Sequence, residues 1–75
     1  MDEGYILSNK YRKIIFDAFA SGETDIEGIA KKHRIIRAVA QRILREFLDT
    51  GILEQNGNTY RFTPAGEKLV TTMKK

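Results

Sequence analysis

The side chains best suited to chemistry in this chain are cations. Lys31, Lys32, Arg34, Arg37, Arg42 and Arg45 fall within one stretch that contains no acidic residue. Of the ten acids, six lie before it, at Asp2, Glu3, Asp17, Glu23, Asp25 and Glu27, and four after it, Glu46 and Asp49 soon after and Glu54 and Glu67 further on. The net charge of +3 is a modest bias by itself. Its distribution says more, because guanidinium and ammonium groups gathered without carboxylates make one positive face, the footprint of a polyanionic partner. The same run also reads as an ordinary solvated helix face, and charge alone does not choose between the two.

Little else in the sequence could do chemistry. There is no cysteine, which excludes disulfides, thiolate zinc sites and thiol nucleophiles together. His33 is the only histidine, and it reads as a half-buried helix end rather than a metal ligand. Catalysis needs a nucleophile or an acid–base pair in a sheltered pocket, and scattered carboxylates beside one imidazole do not provide it. The expectation is a protein that is not an enzyme and uses no metal, cofactor or small-molecule ligand. Tyr60 and Phe62 could stack on bases, but they read better as closing a core beneath a hairpin. A small domain without disulfide staples fits a reducing interior. Met1-Asp2-Glu3-Gly4 resembles neither a signal peptide nor a membrane anchor. A soluble cytoplasmic protein with no membrane partner is therefore expected.

The cations need elements to position them. With 75 residues, 41% of them hydrophobic and 31% charged, the chain can form one folded domain spanning 1–75. Residues 8–20 read as a first helix, capped by Ser8. Its apolar stripe would comprise Leu7, Tyr11, Ile14, Ile15, Ala18 and Phe19, and it would end at Ser21-Gly22. A second helix starts at the capping-box pattern Thr24-Asp25-Ile26-Glu27 and stops near His33, with Ile26, Ile29, Ala30 and His33 on one face.

A third helix is predicted over 36–49. Ile36, Ala40, Ile43, Leu44 and Phe47 would point inward, and Val39 would lie at the edge of that arc. Ala38, Arg42, Arg45 and Asp49 would point outward, flanked by Gln41, with Arg37 near the boundary. Gly51 closes the helix. The period then changes to that of a hairpin, Ile52–Gln55 and Thr59–Thr63 around Asn56-Gly57-Asn58. A turn on Asn56-Gly57 would pair Leu53 with Tyr60. A turn on Gly57-Asn58 would pair Leu53 with Phe62 and Glu54 with Arg61, and is preferred because it joins opposite charges. A last helix begins with Thr63 as cap and Pro64 at the first position, its apolar side formed by Leu69, Val70 and Met73. The expected class is α+β, mainly α: a three-helix core, a two-stranded β-hairpin and a C-terminal helix.

This order resembles a winged helix-turn-helix domain, and particular residues agree. Leu7-Ser8-Asn9 followed by Arg12 and Ile14-Ile15 resembles the first helix of arsenic-repressor-like winged helices. Asp25 through Leu53 aligns without a gap to a common superfamily pattern, marked by Ile29-Ala30, Ile35, Arg37, Arg42, Leu44, Phe47 and Gly51-Ile52-Leu53. Tyr60-Arg61-Phe62-Thr63-Pro64-Ala65-Gly66 resembles the step from wing to final helix in multiple-antibiotic-resistance-type regulators. The chain departs from the family pattern at Ile36, where serine, threonine or aspartate is usual, and near Arg34, where glycine is usual.

The resemblance implies a small transcriptional regulator that binds double-stranded DNA with its third helix in the major groove. Arg37, Ala38, Gln41 and Arg42 would face the bases, where arginine suits guanine and glutamine suits adenine. Lys31, Lys32, Arg34, Arg45 and Arg61 would meet phosphates. A homodimer reading two half-sites would fit, with Tyr5, Ile6, Leu7, Leu69, Val70 and Met73 as a dimer surface; the same residues serve equally well to close the monomer's own core. The competing expectation is a winged-helix protein-interaction module in a transcription or other multiprotein assembly, suggested by the apolar Ile35-Ile36 and the charge-poor hairpin.

Overall fold

Helix periodicity followed by strand alternation produces a mainly helical α+β structure. The computed structural model describes residues 3–73; Lys74 and Lys75, readable as a soluble tail, lie outside them, as do Met1 and Asp2. In chain order the elements are α1 (Glu3–Leu7), α2 (Lys10–Ala20), α3 (Ile26–Lys32), α4 (Arg37–Asp49), β1 (Leu53–Asn56), β2 (Thr59–Phe62) and α5 (Pro64–Met73). The two strands form an antiparallel sheet.

The helix expected over 8–20 is α2, which starts at Lys10, and a separate short helix that was not expected, α1, precedes it across Asn9. The backbone of Asn9 is extended, and its Oδ1 accepts from the N–H groups of Tyr11 at 2.8 Å and Arg12 at 3.2 Å. Asn9 is therefore the cap of α2. Ser8 instead donates from Oγ to the Tyr5 carbonyl at 2.9 Å and belongs to the end of α1. The break resets the phase of the apolar stripe. Ile6 and Phe16 turn inward, at 0% and 1% exposure, whereas Leu7 and Tyr11 face solvent.

α1 docks onto the body of the fold. Ile6 enters the core, and the Tyr5 ring meets Phe47 edge-on at 6.4 Å. The Tyr5 hydroxyl donates to Glu46 Oε1 at 3.0 Å, and Arg12 Nε donates to the same oxygen at 3.3 Å. The Arg12 guanidinium also lies 4.2 Å from the centroid of the Tyr5 ring. These contacts correct the reading of Ile6 and Leu69 as dimer-surface residues, whereas Leu7 of the same set faces solvent. Ile6 and Leu69 are buried in the chain's own core, and Tyr5, Val70 and Met73 are half-buried against it. The α1–α5 packing uses part of this apolar area.

The largest fully buried side chains are Phe16, Phe47, Ile6, Ile15, Ile29, Ile43 and Leu53. They come from every element except β2 and α5. α3 is capped by Asp25 rather than Thr24, with Asp25 Oδ1 accepting from the Glu27 N–H at 3.2 Å. Thr24 contributes elsewhere, through its carbonyl, which accepts from the Tyr60 N–H at 3.3 Å and so ties the α2–α3 connection to the hairpin.

The hairpin adopts the register Leu53–Phe62, Glu54–Arg61, Gln55–Tyr60, Asn56–Thr59. Arg61 Nε lies 3.0 Å from Glu54 Oε2. Gly57 has φ +65° and Asn58 stays at negative φ, the signature of a type II′ turn. Phe62 packs against Phe16 with centroids 5.3 Å apart, so this aromatic helps close the core. Thr63 then caps α5 by accepting from the Gly66 N–H at 3.0 Å and also donates to the Gly51 carbonyl.

Gly66 lets α5 approach the chain leaving α4. A Cβ built there would overlap the Ile52 carbonyl oxygen and stand 2.9 Å from the Phe62 ring. Backbone cannot step aside as a side chain can, so Gly66→Ala should lower unfolding free energy by about 2–3 kcal/mol, in the range of core overpacking. An unchanged urea midpoint would refute this close-packing account.

The Tyr5 hydroxyl also gives the fold a pH dependence. Burial first, then its bond to Glu46, raises its pKa above the ordinary 10.0. Because the folded value is the higher one, this contribution to stability is complete below pH 10 and is lost as pH rises through the folded pKa. The phenolate absorbance missing from Tyr5→Phe should therefore have its titration midpoint above pH 10, and a midpoint at or below that value would contradict the assignment.

Candidate nucleic-acid interface

α4 has an inner and an outer face. Ala40, Ile43, Leu44 and Phe47 are buried, while Ala38, Gln41, Arg42, Arg45 and Asp49 are exposed. Ala38, Gln41, Arg42 and Arg45 share a shallow depression of about 220 Å³ on the outer side. A second depression beside it is lined by Gln41, Leu44, Arg45, Leu48 and Tyr60, so the hairpin flanks the helix here.

The cations of the stretch divide by their partners. Arg37 is 75% exposed at its side chain, but its Nη2 lies 2.8 Å from Glu27 Oε2 on α3. Lys32 Nζ lies 3.2 Å from Glu23 Oε2, and Arg61 pairs with Glu54. Exposed pairs of this kind contribute about 0–1 kcal/mol, so a stronger anion can displace the carboxylate. Lys31, Arg34, Arg42 and Arg45 make no ion pair among the described residues. The structure thus brings Ala38, Gln41, Arg42 and Arg45 together. Arg37 leans to α3, and Arg61 is held across the hairpin.

The turn between α3 and α4 explains where Lys31, Arg34 and Ile36 sit. α3 ends as α2 and α4 do, with the chain folding back over its own last carbonyls. At α3 the Arg34 N–H donates to the Lys31 carbonyl at 3.4 Å, and the Ile35 N–H donates to the Ala30 carbonyl at 2.8 Å. This closure needs a left-handed residue. α2 and α4 use Gly22 and Gly51, whereas α3 uses Arg34 at φ +56°. A side chain with a Cβ meets this requirement at a cost of about 1–2 kcal/mol.

Ile36 is not on the inner face of the helix. It is the N-cap of α4, with φ −56° and ψ 131°, and no side chain caps the first turn. Its side chain is 72% exposed. Helical phase does not extend through an extended residue, and the core position is taken by Ile35, which is buried ahead of the helix. His33, expected to be half-buried, is exposed at the C-cap of α3. Periodicity missed both Ile36 and the Arg34 backbone. The signal that marks Arg34 is its place just after α3, where the ends of α2 and α4 carry Gly22 and Gly51.

Among the described residues, no group of three His, Cys, Asp or Glu side chains is arranged to hold a metal ion, and no helix is long and apolar enough to cross a membrane. Comparison with known protein families, with curated proteins and with solved structures gives no match.

Two substitutions in the turn should stabilise the fold. Arg34→Gly removes the left-handed penalty and should add about 1 kcal/mol. Ile36→Ser supplies the missing cap and should add about 1 kcal/mol. Thermal melts of both variants check this; a lower melting temperature in either would mean the native side chain makes stabilising contacts that outweigh the local rule.

Proposed function

We propose that this chain is a winged helix-turn-helix module that binds double-stranded DNA, with α4 in the major groove and the β1–β2 hairpin as its wing. The observation that carries the reading is the outer face of α4. Arg42 and Arg45 stand there beside Gln41 and Ala38, exposed, with no ion pair among the described residues, on a helix held from behind by buried Ile43, Leu44 and Phe47. A rigid scaffold that presents free guanidinium groups can dock on a polyanion at little cost in ordering.

In this reading Arg42 grips a guanine edge with two hydrogen bonds and Gln41 does the same for an adenine. Ala38 allows the helix to approach closely. Arg37 exchanges Glu27 for a base or phosphate as the surfaces meet. Lys31, Arg34 and Arg45 meet phosphates and fix the register. Lys32 and Arg61 contribute less, because each must first leave a carboxylate. The uncapped first turn of α4 adds backbone N–H groups, from which phosphate oxygens can accept. A role in transcription regulation on chromosomal DNA in the cytoplasm follows from the same reading. One module of this kind buries about 600–1,000 Å² of protein surface on DNA, so a second copy on an adjacent half-site would strengthen binding.

A protein-interaction module is the competing reading. Two observations favour it: the exposed Ile36 at the front of α4 and an Arg61 already neutralised by Glu54.

Fluorescence anisotropy with mixed-sequence duplex DNA separates the two. Affinity should fall steeply between low and physiological salt as counterions are released. Arg42→Ala should weaken binding about fivefold or more, consistent with the loss of one well-placed arginine. An affinity indifferent to salt, or undiminished in Arg42→Ala, would remove the nucleic-acid reading and leave the protein-interaction one.

A further inference from the structure

We infer that Ile36 is a specificity-determining residue of the α4 interface and that its side chain covers the 5-methyl group of a thymine; this rests on the DNA-binding reading above. Ile36 is the most exposed large hydrophobic side chain among the described residues, at 72%. Its position forfeits two sources of stability at once. Most of the free energy available from burying a branched aliphatic side chain is unrealised. The first turn of α4 also lacks the side-chain hydrogen bond that a hydroxyl or carboxylate would provide there. The neighbouring Arg34 holds a left-handed backbone conformation that glycine would adopt without penalty. Local rules broken in succession, on a surface otherwise folded by those rules, mark a place shaped by what it contacts.

The surroundings indicate the kind of surface that covers Ile36. From Gly28 to Arg45 the sequence contains six cations and no acid. Lys31 and Arg34, just before Ile36, make no ion pair among the described residues. The surface that buries Ile36 must therefore be strongly anionic around it and apolar at its centre. The major groove of duplex DNA meets both conditions where a thymine methyl projects between flanking phosphates. An arginine contact reads hydrogen-bonding edges and passes over that methyl, so Ile36 adds a preference that Arg42 and Gln41 do not supply.

The test removes a single methyl group from the DNA. Duplexes retained by the chain from a randomised pool at low salt are resynthesised with deoxyuridine in place of each thymidine in turn, which keeps every base pair and hydrogen bond. For the wild-type chain, one such replacement should weaken binding about fourfold, the effect of losing one buried methyl. Ile36→Ala should bind the thymidine duplex about fourfold or more weakly and no longer distinguish it from the deoxyuridine duplex. Ile36→Val should retain the distinction. Ile36→Ser, with its better-capped α4, should lose discrimination while melting no lower than wild type, which separates recognition from stability.

If wild type binds both duplexes equally, or Ile36→Ala still distinguishes them, the inference is overturned while salt-dependent binding and the Arg42→Ala effect leave the DNA reading standing. If no duplex is retained even at low salt, both fall, and Ile36 belongs to a contact with an acidic protein surface.

Discussion

The rotation of α4 about its own axis is the constraint on which the interface depends, and Phe47 fixes it. Its ring is fully buried and is met edge-on by Tyr5 and by Phe16, each with centroids 6.4 Å away. Two aromatic neighbours from different helices leave the ring little room to slide. With Phe47 seated, the helical repeat places Ala40, Ile43 and Leu44 inside and Ala38, Gln41, Arg42 and Arg45 outside. Neighbouring contacts reinforce the same orientation. Glu46, next to Phe47, receives hydrogen bonds from Tyr5 and Arg12, so α1 and α2 grip the helix through a carboxylate as well as through rings. The turn after α4 is locked by Gly51, Thr63 and the close approach of Gly66 to Ile52. The backbone beneath such an outer face is already fixed, so only the exposed side chains must be ordered on contact.

The placement of acids completes the electrostatic picture. Carboxylates near the cationic stretch are engaged at its margins: Glu23 with Lys32, Glu27 with Arg37 and Glu54 with Arg61. The centre, formed by Lys31, Arg34, Arg42 and Arg45, is left without such partners among the described residues. A protein selected only for stability gains little from such a gap, since interspersed charges of both signs avoid repulsion. The gap has value if an external anion fills it. That is why the outer face, rather than the net charge of +3, carries the functional reading.

Much of this was legible in the sequence where local and tertiary preferences agree. The inner residues Ala40, Ile43, Leu44 and Phe47 follow a helical period and are buried. The hairpin register follows from pairing Glu54 with Arg61. Thr63-Pro64 marks the start of α5 because one residue caps and the next needs no N–H. What could not be read were places where a cap competes with a period. Asn9 rather than Ser8 caps α2, and the separate α1 before it buries Ile6 and exposes Leu7, which the expected stripe had placed inside. Asp25 rather than Thr24 caps α3. Ile36 counts as apolar in any periodic sum, yet it precedes the helix, and Ile35 fills the core instead. The outer face could be read from the sequence, but the pairing of its members could not. Arg37 and Arg42 look alike until the fold brings Glu27 to one of them and no acid to the other.

The α3–α4 turn sets a limit on how such a surface can be built on a small scaffold. A chain of this length has a total stability of about 4–11 kcal/mol. A left-handed arginine and an uncapped helix start together withhold about 2–3 kcal/mol, a substantial share of that margin. The same closure is made without penalty at Gly22 and Gly51, so the fold has ready solutions that the turn does not use. What the turn gains is a projecting cation at 34 and a projecting aliphatic group at 36, on a connection that links two helices both anchored in the core. Glycine and serine would relieve the local cost, but neither could present charge and apolar surface together at the edge of α4. Stability favours glycine and serine at these positions, and under the proposed function recognition favours the native arginine and isoleucine.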